Sequence, residues 1–439
     1  MTMLQRPPYK RVWALSWPTI LSNLSLPLAG AVDVAVVGHL PDVAPLGAVG
    51  IGALIFGFLY WAFAFLRMAT TGFVAQSFGA RANAEVRAAA GRAAVLAGFI
   101  GLGLIALQGP IAFGFFYFID GTAEIQGLAR DYYDVRIWGA PAALLNFGVL
   151  GVLFGLQRMG AALITQLVLN GCNIVLDIIF VVGLGWGVEG VAGATVIAEY
   201  VAAGLGIFLV LRHLPVLRRG EEPTRLFVPA AVRSMLAINR DLMIRTLLVT
   251  GVTLHFMSAS AGLDPVTLAV NTLLMQFYNF LAFGLDGFAH AVEALGGSAY
   301  GRREPQVFRL TVRACTVLSG LVAGLFTLFY ALLGGAMIDL MTDLEAVRAM
   351  SREFLPWMVL MPLIGVWSFL LDGIFVGTIR AAEMRNTMMV STAAYALAVA
   401  LLLPALANHG LWLALTIFVA FRALTLAAGY PRLLREMSN

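Results

Sequence analysis

Charge is what this chain most lacks. Of its 439 residues, 12% are Asp, Glu, Lys or Arg, about half of the roughly 25% usual in a soluble globular chain. Cysteine is nearly absent too: Cys172 and Cys315 are the only two, both within apolar stretches, so no disulfide framework or thiolate metal cluster is expected and both read as inert thiols. No HExxH, GxSxG or Walker loop occurs, and no catalytic, metal or cofactor assembly emerges. Gly50-Ile-Gly52 lies inside an apolar run and reads as helix packing rather than a phosphate cradle. No polar segment is long enough for a soluble domain. These absences exclude soluble enzymes, nucleic-acid binders and disulfide scaffolds.

What remains is hydrophobic: 60% of residues are apolar and the mean hydropathy is +0.88. A spanning helix needs about 20 apolar residues, and apolar runs fall at 12–38, 46–78, 88–119, 137–156, 161–184 and 188–211, then at 242–262, 266–300, 310–333, 355–378, 388–407 and 411–430. The expected fold is therefore an all-α polytopic membrane protein of twelve transmembrane helices in two six-helix bundles. The expected division is an N-terminal lobe over 1–211, a cytoplasmic linker over 212–240 and a C-terminal lobe over 241–439. The first run lacks a small-residue cleavage site behind it, so it reads as a retained span.

The net charge of +4 reports topology. Sorting the 28 basic residues into alternate connections puts about 21 on one side, and on the other only Arg130, Arg136, Arg348 and Arg352; the rich side is cytoplasmic by the positive-inside rule. Both termini and the linker are expected inside, and the connections 39–45, 183–189 and 408–410 outside. The sequence also repeats itself. Ala75 to Arg81 (AQSFGAR) matches Gly297 to Arg303 (GSAYGRR), and Gly155 to Arg158 (GLQR) matches Gly377 to Arg380 (GTIR), both at an offset of 222. Repeats of six spans keep their orientation, so the two bundles are expected to be related by an axis along the membrane normal, enclosing a substrate path.

Polar groups inside the spans are functional candidates because insertion there is costly, about 2.5 to 3.5 kcal/mol for a charge at the bilayer centre. Asp33, Asp177 and Thr195 all fall in the outer half of their spans. Asn173 and Asp177 are four apart on one helical face, with Asn170 a turn further in and Asn146 at similar depth. Two carboxylates sharing a low-dielectric cavity cannot both ionise cheaply, so the pair reads as a proton acceptor and release site; fixed cross-linking of helices is the bland alternative. Pro27, ahead of Asp33, reads as a hinge or a static kink. Arg67 and Glu199 lie near mid-membrane and are expected to pair with each other. The second half offers Asp286, His290 and Glu293 on one span, Asp372 on another and His255 on a third, as a second-lobe cation site or as residues that line or lock the inner mouth. The 17 Met and 29 Phe suit an adaptable apolar path, although most such residues in a membrane protein face lipid.

Taken together, Pro27-Leu-Ala-Gly-Ala-Val-Asp33, Phe65-Leu-Arg67, Asn173-Ile-Val-Leu-Asp177, Ile197-Ala-Glu199, the run from Leu285 to Glu293 and that from Asp372 to Asn386 resemble multidrug and toxic compound extrusion (MATE) transporters, in particular their bacterial DinF branch. The resemblance implies a two-lobe exporter of cationic or amphipathic compounds, working by alternating access against proton or sodium entry, with Asp33 and Asp177 as first-lobe acids and Asn173, Thr195 and Asn146 as their partners. A tyrosine that some relatives carry one turn before the first acid is here Ala29. Relatives with a second-lobe sodium site pair an acid like Asp372 with another carboxylate where this chain has His255, which favours protons over sodium, since hard cations prefer oxygen ligands. The expected setting is the bacterial inner membrane, with the bilayer, a small-molecule substrate and protons as partners, no nucleic acid and a monomeric state. The competing readings are a lipid-linked precursor flippase of related fold, which would want a strongly basic cavity, and a non-transporting membrane scaffold.

Overall fold

In a computed structural model, the structure describes residues 6–38, 44–118, 122–214 and 225–438. Among them regular structure is helical throughout, in the order α1 Tyr9–Gly38, α2 Ala44–Trp61, α3 Phe65–Gly79, α4 Asn83–Ala106, α5 Gln108–Phe118, α6 Ala123–Arg136, a 3-10 turn Ile137–Gly139, α7 Ala140–Gly155, α8 Met159–Asp177, a π-helical turn Ile178–Gly183, α9 Gly187–His213, α10 Pro229–Leu263, α11 Pro265–Gly301, α12 Pro305–Met341, α13 Glu345–Gly377 and α14 Ala381–Ser438. Parts of the expected outward connection (residues 39–43) and of the linker (215–224) lie outside the described residues.

Ten of these helical rods are long and apolar enough to cross a membrane, so the protein is a multi-pass membrane protein. One of the ten, Ala381–Ser438, is broken at Ala407, whose φ of 47° and ψ of −127° are not helical. Counting its two arms separately and adding the 30-residue α1 gives twelve rods at the twelve expected places. The largest shift is at the fourth span. Expected from residue 137, it starts at Ala123, where the Thr122 hydroxyl accepts a hydrogen bond from Ile125 N and caps α6. Ala129, Tyr132, Tyr133 and Arg136 are the buried face of α6, one helical stripe at i, i+3, i+4 and i+7. The run was hidden from a search for apolar stretches because its other face is charged.

The chain forms two compact units, Leu21–Met235 and Met1–Ile20 with Leu236–Asn439. The internal repeat is written into their backbones. Arg81 and Arg303 both take a left-handed conformation (φ 59° and 56°), as do Gln157 and Ile379 (φ 60° and 57°), each pair 222 residues apart. The turn bonds repeat as well: Arg81 N to Phe78 O is matched by Arg303 N to Tyr300 O, and Arg158 N to Leu153 O by Arg380 N to Phe375 O. Packing follows the same offset. A Cβ on Gly151 would collide with Arg67 O and Thr70, and one on Gly373 with Ala289 O and Val292, so α7 on α3 and α13 on α11 make the same close crossing, which requires glycine.

In the unit holding Leu236–Asn439, the break after Ala407 is held by buried amides. Asn271 on α11 donates to Ser260 (2.7 Å) and Asn408 (2.7 Å), and its oxygen accepts from Asn408 (3.0 Å) and Trp412 Nε1 (2.9 Å). The side-chain polar atoms of Asn271, Asn408 and Trp412 thereby all find partners, which is what hydrocarbon surroundings demand.

Candidate functional site

In the unit Leu21–Met235, Asp33 near the C-terminal end of α1 meets Asp177, the last residue of α8. Their carboxyl groups lie within hydrogen-bonding reach of each other. Asp177 is fully buried, and among the described residues no donor reaches either of its oxygens or Oδ1 of Asp33. Two ionised carboxylates have no hydrogen to share and repel; a single proton between them turns the contact into a hydrogen bond. The π-helical turn that follows Asp177 widens the helix where the acid sits, a placement common at functional sites.

The neutral polar residues expected around the pair are sorted among neighbours. Asn173 Nδ2 donates to Thr195 Oγ1 at 3.2 Å, and Thr195 donates to Val191 O at 3.0 Å. Asn170 donates to Ser25 Oγ on α1 at 2.7 Å and accepts from Gln166 at 3.2 Å, tying α8 to α1 inward of the acids. Asn146 does not join the acids: its amide donates to the carbonyl of Glu199 at 3.1 Å. Pro27 lies within a continuous α1.

Glu199 is paired with Arg136, not with Arg67 as expected. Arg136 Nη1 and Nη2 donate to the two Glu199 oxygens at 2.8 and 2.5 Å, a bidentate fork with both side chains buried. Arg67 instead places its guanidinium 5.6 Å from the Phe154 ring centroid. The physical reason is the N-terminal extension of the fourth span, which carries Arg136 from an apparent surface connection to a buried position on the α6 stripe. The missed signal was Glu199 itself, since an acid deep in α9 calls for a cation, and Arg136 at the head of an apolar run was one candidate. The ion pair is walled by Phe56 and Tyr60, each with its ring centroid 5.2 Å from the guanidinium carbon, and Tyr60 Oη accepts from Arg136 at 3.5 Å. Gly139 makes the room, because a Cβ there would press on Glu199 Oε2 and lie 2.7 Å from Arg136 Nη1. Tyr132, packed on Gly52 where a side chain would collide with its ring, stands within electrostatic reach of Asp33, Arg136 and Glu199 together.

In the other unit, Asp372 on α13 is gripped by two arginines. Arg245 from α10 and Arg422 from α14 both donate to its Oδ2, and Arg422 also stacks over Phe418 at 5.7 Å. Asp286 lies within electrostatic reach of Arg422. His255 is elsewhere, 3.0 Å from the hydroxyl of Tyr395. Glu293 is buried on α11, with its backbone carbonyl against Gly377. Of the five residues grouped from sequence in the second half, these four are thus divided between an ion cluster, a His–Tyr bond and a helix crossing, and His290 is buried on α11. Arg245 and Arg422 were the residues the sequence reading passed over, although both lie inside apolar runs.

Comparison with known proteins agrees with this architecture. The family model described as MatE matches residues 18–179 and again 242–404, one match in each half. The chain is 41% identical over 423 residues to DNA damage-inducible protein F of Escherichia coli, covering 96% of this chain and 92% of that protein. It is 27% identical over 227 residues to "Probable multidrug resistance protein NorM" of Thermotoga maritima, covering 49% of this chain and 47% of that one. Among solved structures, an outward-facing multidrug resistance MATE family transporter of the MOP superfamily superposes with a TM-score of 0.88 at 20% identity, over 99% of this chain and 97% of that one. The chain belongs to the MatE family of membrane transporters.

Proposed function

We propose that the protein is a proton-coupled antiporter of the inner membrane, with both termini cytoplasmic, that works as a monomer and by alternating access exports cationic or amphipathic small molecules. The observation that carries this reading is the meeting of Asp33 and Asp177 with no other donor on three of their four oxygens. Such a pair is at rest with one proton and strained without it, and a passing organic cation offers the alternative neutralising charge. Proton and substrate then compete for one negative site, which is the minimum that exchange requires. Asn173, Thr195, Asn170 and Ser25 hold α8 to its neighbours α9 and α1 by neutral hydrogen bonds that survive in either protonation state. Pro27, two turns before Asp33, is the place where α1 bends when the pair's charge changes.

Protons rather than sodium are supported by Asp372. Its Oδ2 already accepts from two guanidiniums, so a sodium ion there would have to displace protein cations. Energetically, one proton entering against a substrate of no net charge gains about 2.3 kcal/mol per 100 mV, and about 1.4 kcal/mol corresponds to tenfold, so it sustains an outward gradient of about 50-fold. Against a monovalent cation the exchange moves no net charge and the pH gradient alone drives it, about tenfold per pH unit.

The test is rhodamine 6G efflux from vesicles carrying an imposed pH gradient, with and without sodium. Wild type is expected to follow the pH gradient and ignore sodium, and Asp33→Asn to lose gradient-driven transport. Transport that follows sodium, or that survives in Asp33→Asn, would overturn the reading.

A further inference from the structure

The first unit's acids do not stand alone: a buried ion pair holds a cation within electrostatic reach of Asp33. Arg136 lies within electrostatic reach of Asp33 yet is bound through both terminal nitrogens to Glu199, in a slot that exists because residue 139 is glycine and whose walls are the Phe56 and Tyr60 rings. A guanidinium needed only to neutralise Glu199 could be replaced by apolar packing, since a buried ion pair seldom stabilises more than its hydrophobic equivalent. A cation fixed in place beside a protonatable pair acts on that pair through its field. We propose that Arg136, oriented by Glu199, is a positioning residue whose fixed charge sets the pH at which the Asp33–Asp177 pair gives up its proton.

The groups tied to this centre come from four packed elements: Asn173 on α8, Thr195 and Glu199 on α9, Tyr60 on α2, and Tyr132 and Arg136 on α6. Arg136 is the one full positive charge among them. Its removal leaves the field at Asp33 more negative, so the pair holds its proton to higher pH; removal of Glu199 does the reverse.

This inference rests on the proton-coupled reading, and the experiment separates the two. Rhodamine 6G efflux is measured in vesicles from pH 5.5 to 9 for wild type, Arg136→Gln, Arg136→Lys and Glu199→Gln. Arg136→Gln is expected to move the midpoint of the profile up by about one pH unit, the low end of the effect of a nearby opposite charge. Glu199→Gln is expected to move it down, and Arg136→Lys, which keeps the charge, to leave it within a few tenths of wild type. If Arg136→Gln does not fold, opposite displacement by Glu199→Gln with retention in Arg136→Lys still decides. A uniform loss of rate with an unmoved midpoint, or displacement of both variants in one direction, overturns the inference while leaving wild-type proton coupling intact. A wild type indifferent to the pH gradient overturns both.

Discussion

Two buried acidic centres, one in each unit, solve the same problem in opposite ways. At Asp33 and Asp177 two carboxyls face each other, and Arg136, the cation within electrostatic reach of Asp33, is committed to Glu199. At Asp372 one carboxylate receives two guanidiniums, from Arg245 and Arg422. The backbone around them is repeated closely enough to reproduce left-handed residues 222 positions apart, so the fold does not dictate the difference; side chains do. Counted by the same offset, the place of Asp177 holds Val399, which is buried, and that of Asn173 holds Tyr395. On the proposed reading, the first centre takes its compensating charge from outside the protein, which would make it responsive. The second is supplied from within, which makes it a cross-link joining α10, α13 and α14.

The sharpest way to break this contrast is to remove one carboxylate from each centre and compare stability. Asp372→Asn leaves two buried guanidiniums facing a neutral amide and is expected to destabilise by about 3 to 5 kcal/mol, the cost of stripping one partner from a buried ion pair, read as a fall in melting temperature in detergent. Asp33→Asn puts an amide donor where the shared proton was and is expected to leave the melting temperature unchanged or raised. Replacing Asp372, Arg245 and Arg422 together by Leu, Met and Met should recover most of the loss. Equal destabilisation by the two Asp→Asn variants would dissolve the distinction.

A smaller effect is expected at the layer linking the acids to their cation. Gly139→Ala inserts a methyl against Glu199 Oε2 and Arg136 Nη1 and should cost about 1 to 3 kcal/mol, as overpacking does. Gly127→Ala, with open space at its Cβ, provides the control and should be neutral or slightly stabilising.

The smallest effect tests the shared backbone. Glycine relieves a left-handed residue of its Cβ, so Gln157→Gly and Ile379→Gly should each stabilise by about 0.5 to 1 kcal/mol. Ile379 should gain more, because a β-branched side chain tolerates a positive φ least. Loss of stability in either variant would show that the side chain outweighs the backbone conformation there.

Much of this arrangement is readable from the amino-acid order. Twelve apolar runs, a repeat of 222 residues and the depth of Asp33, Asp177, Asn173 and Thr195 follow from hydropathy and helical geometry alone. What escaped was the identity of the cations. Arg136 sits on an amphipathic helix whose charged face lowers its hydropathy, so the apolar run begins at residue 137, past the whole of α6 and just beyond Arg136. Arg245 and Arg422 lie within a few turns of the ends of their runs expected to be cytoplasmic, where arginine is ordinary by the positive-inside rule, and only packing shows that both turn toward Asp372. Arg67, by contrast, had the right depth for Glu199, but its guanidinium lies over Phe154. Depth along a helix is set by sequence, whereas rotation about its axis depends on neighbours.

The most direct test of the central claim counts protons. Rhodamine 6G is added to purified protein in weakly buffered detergent solution at neutral pH, and proton release is followed with a pH dye. Wild type is expected to release about one proton per molecule as substrate binds, the same with or without sodium. Asp33→Asn should release none, while Arg245→Lys, which preserves the charge beside Asp372, should behave as wild type. Undiminished release from Asp33→Asn, or release that depends on sodium, would contradict a proton site at Asp33 and Asp177.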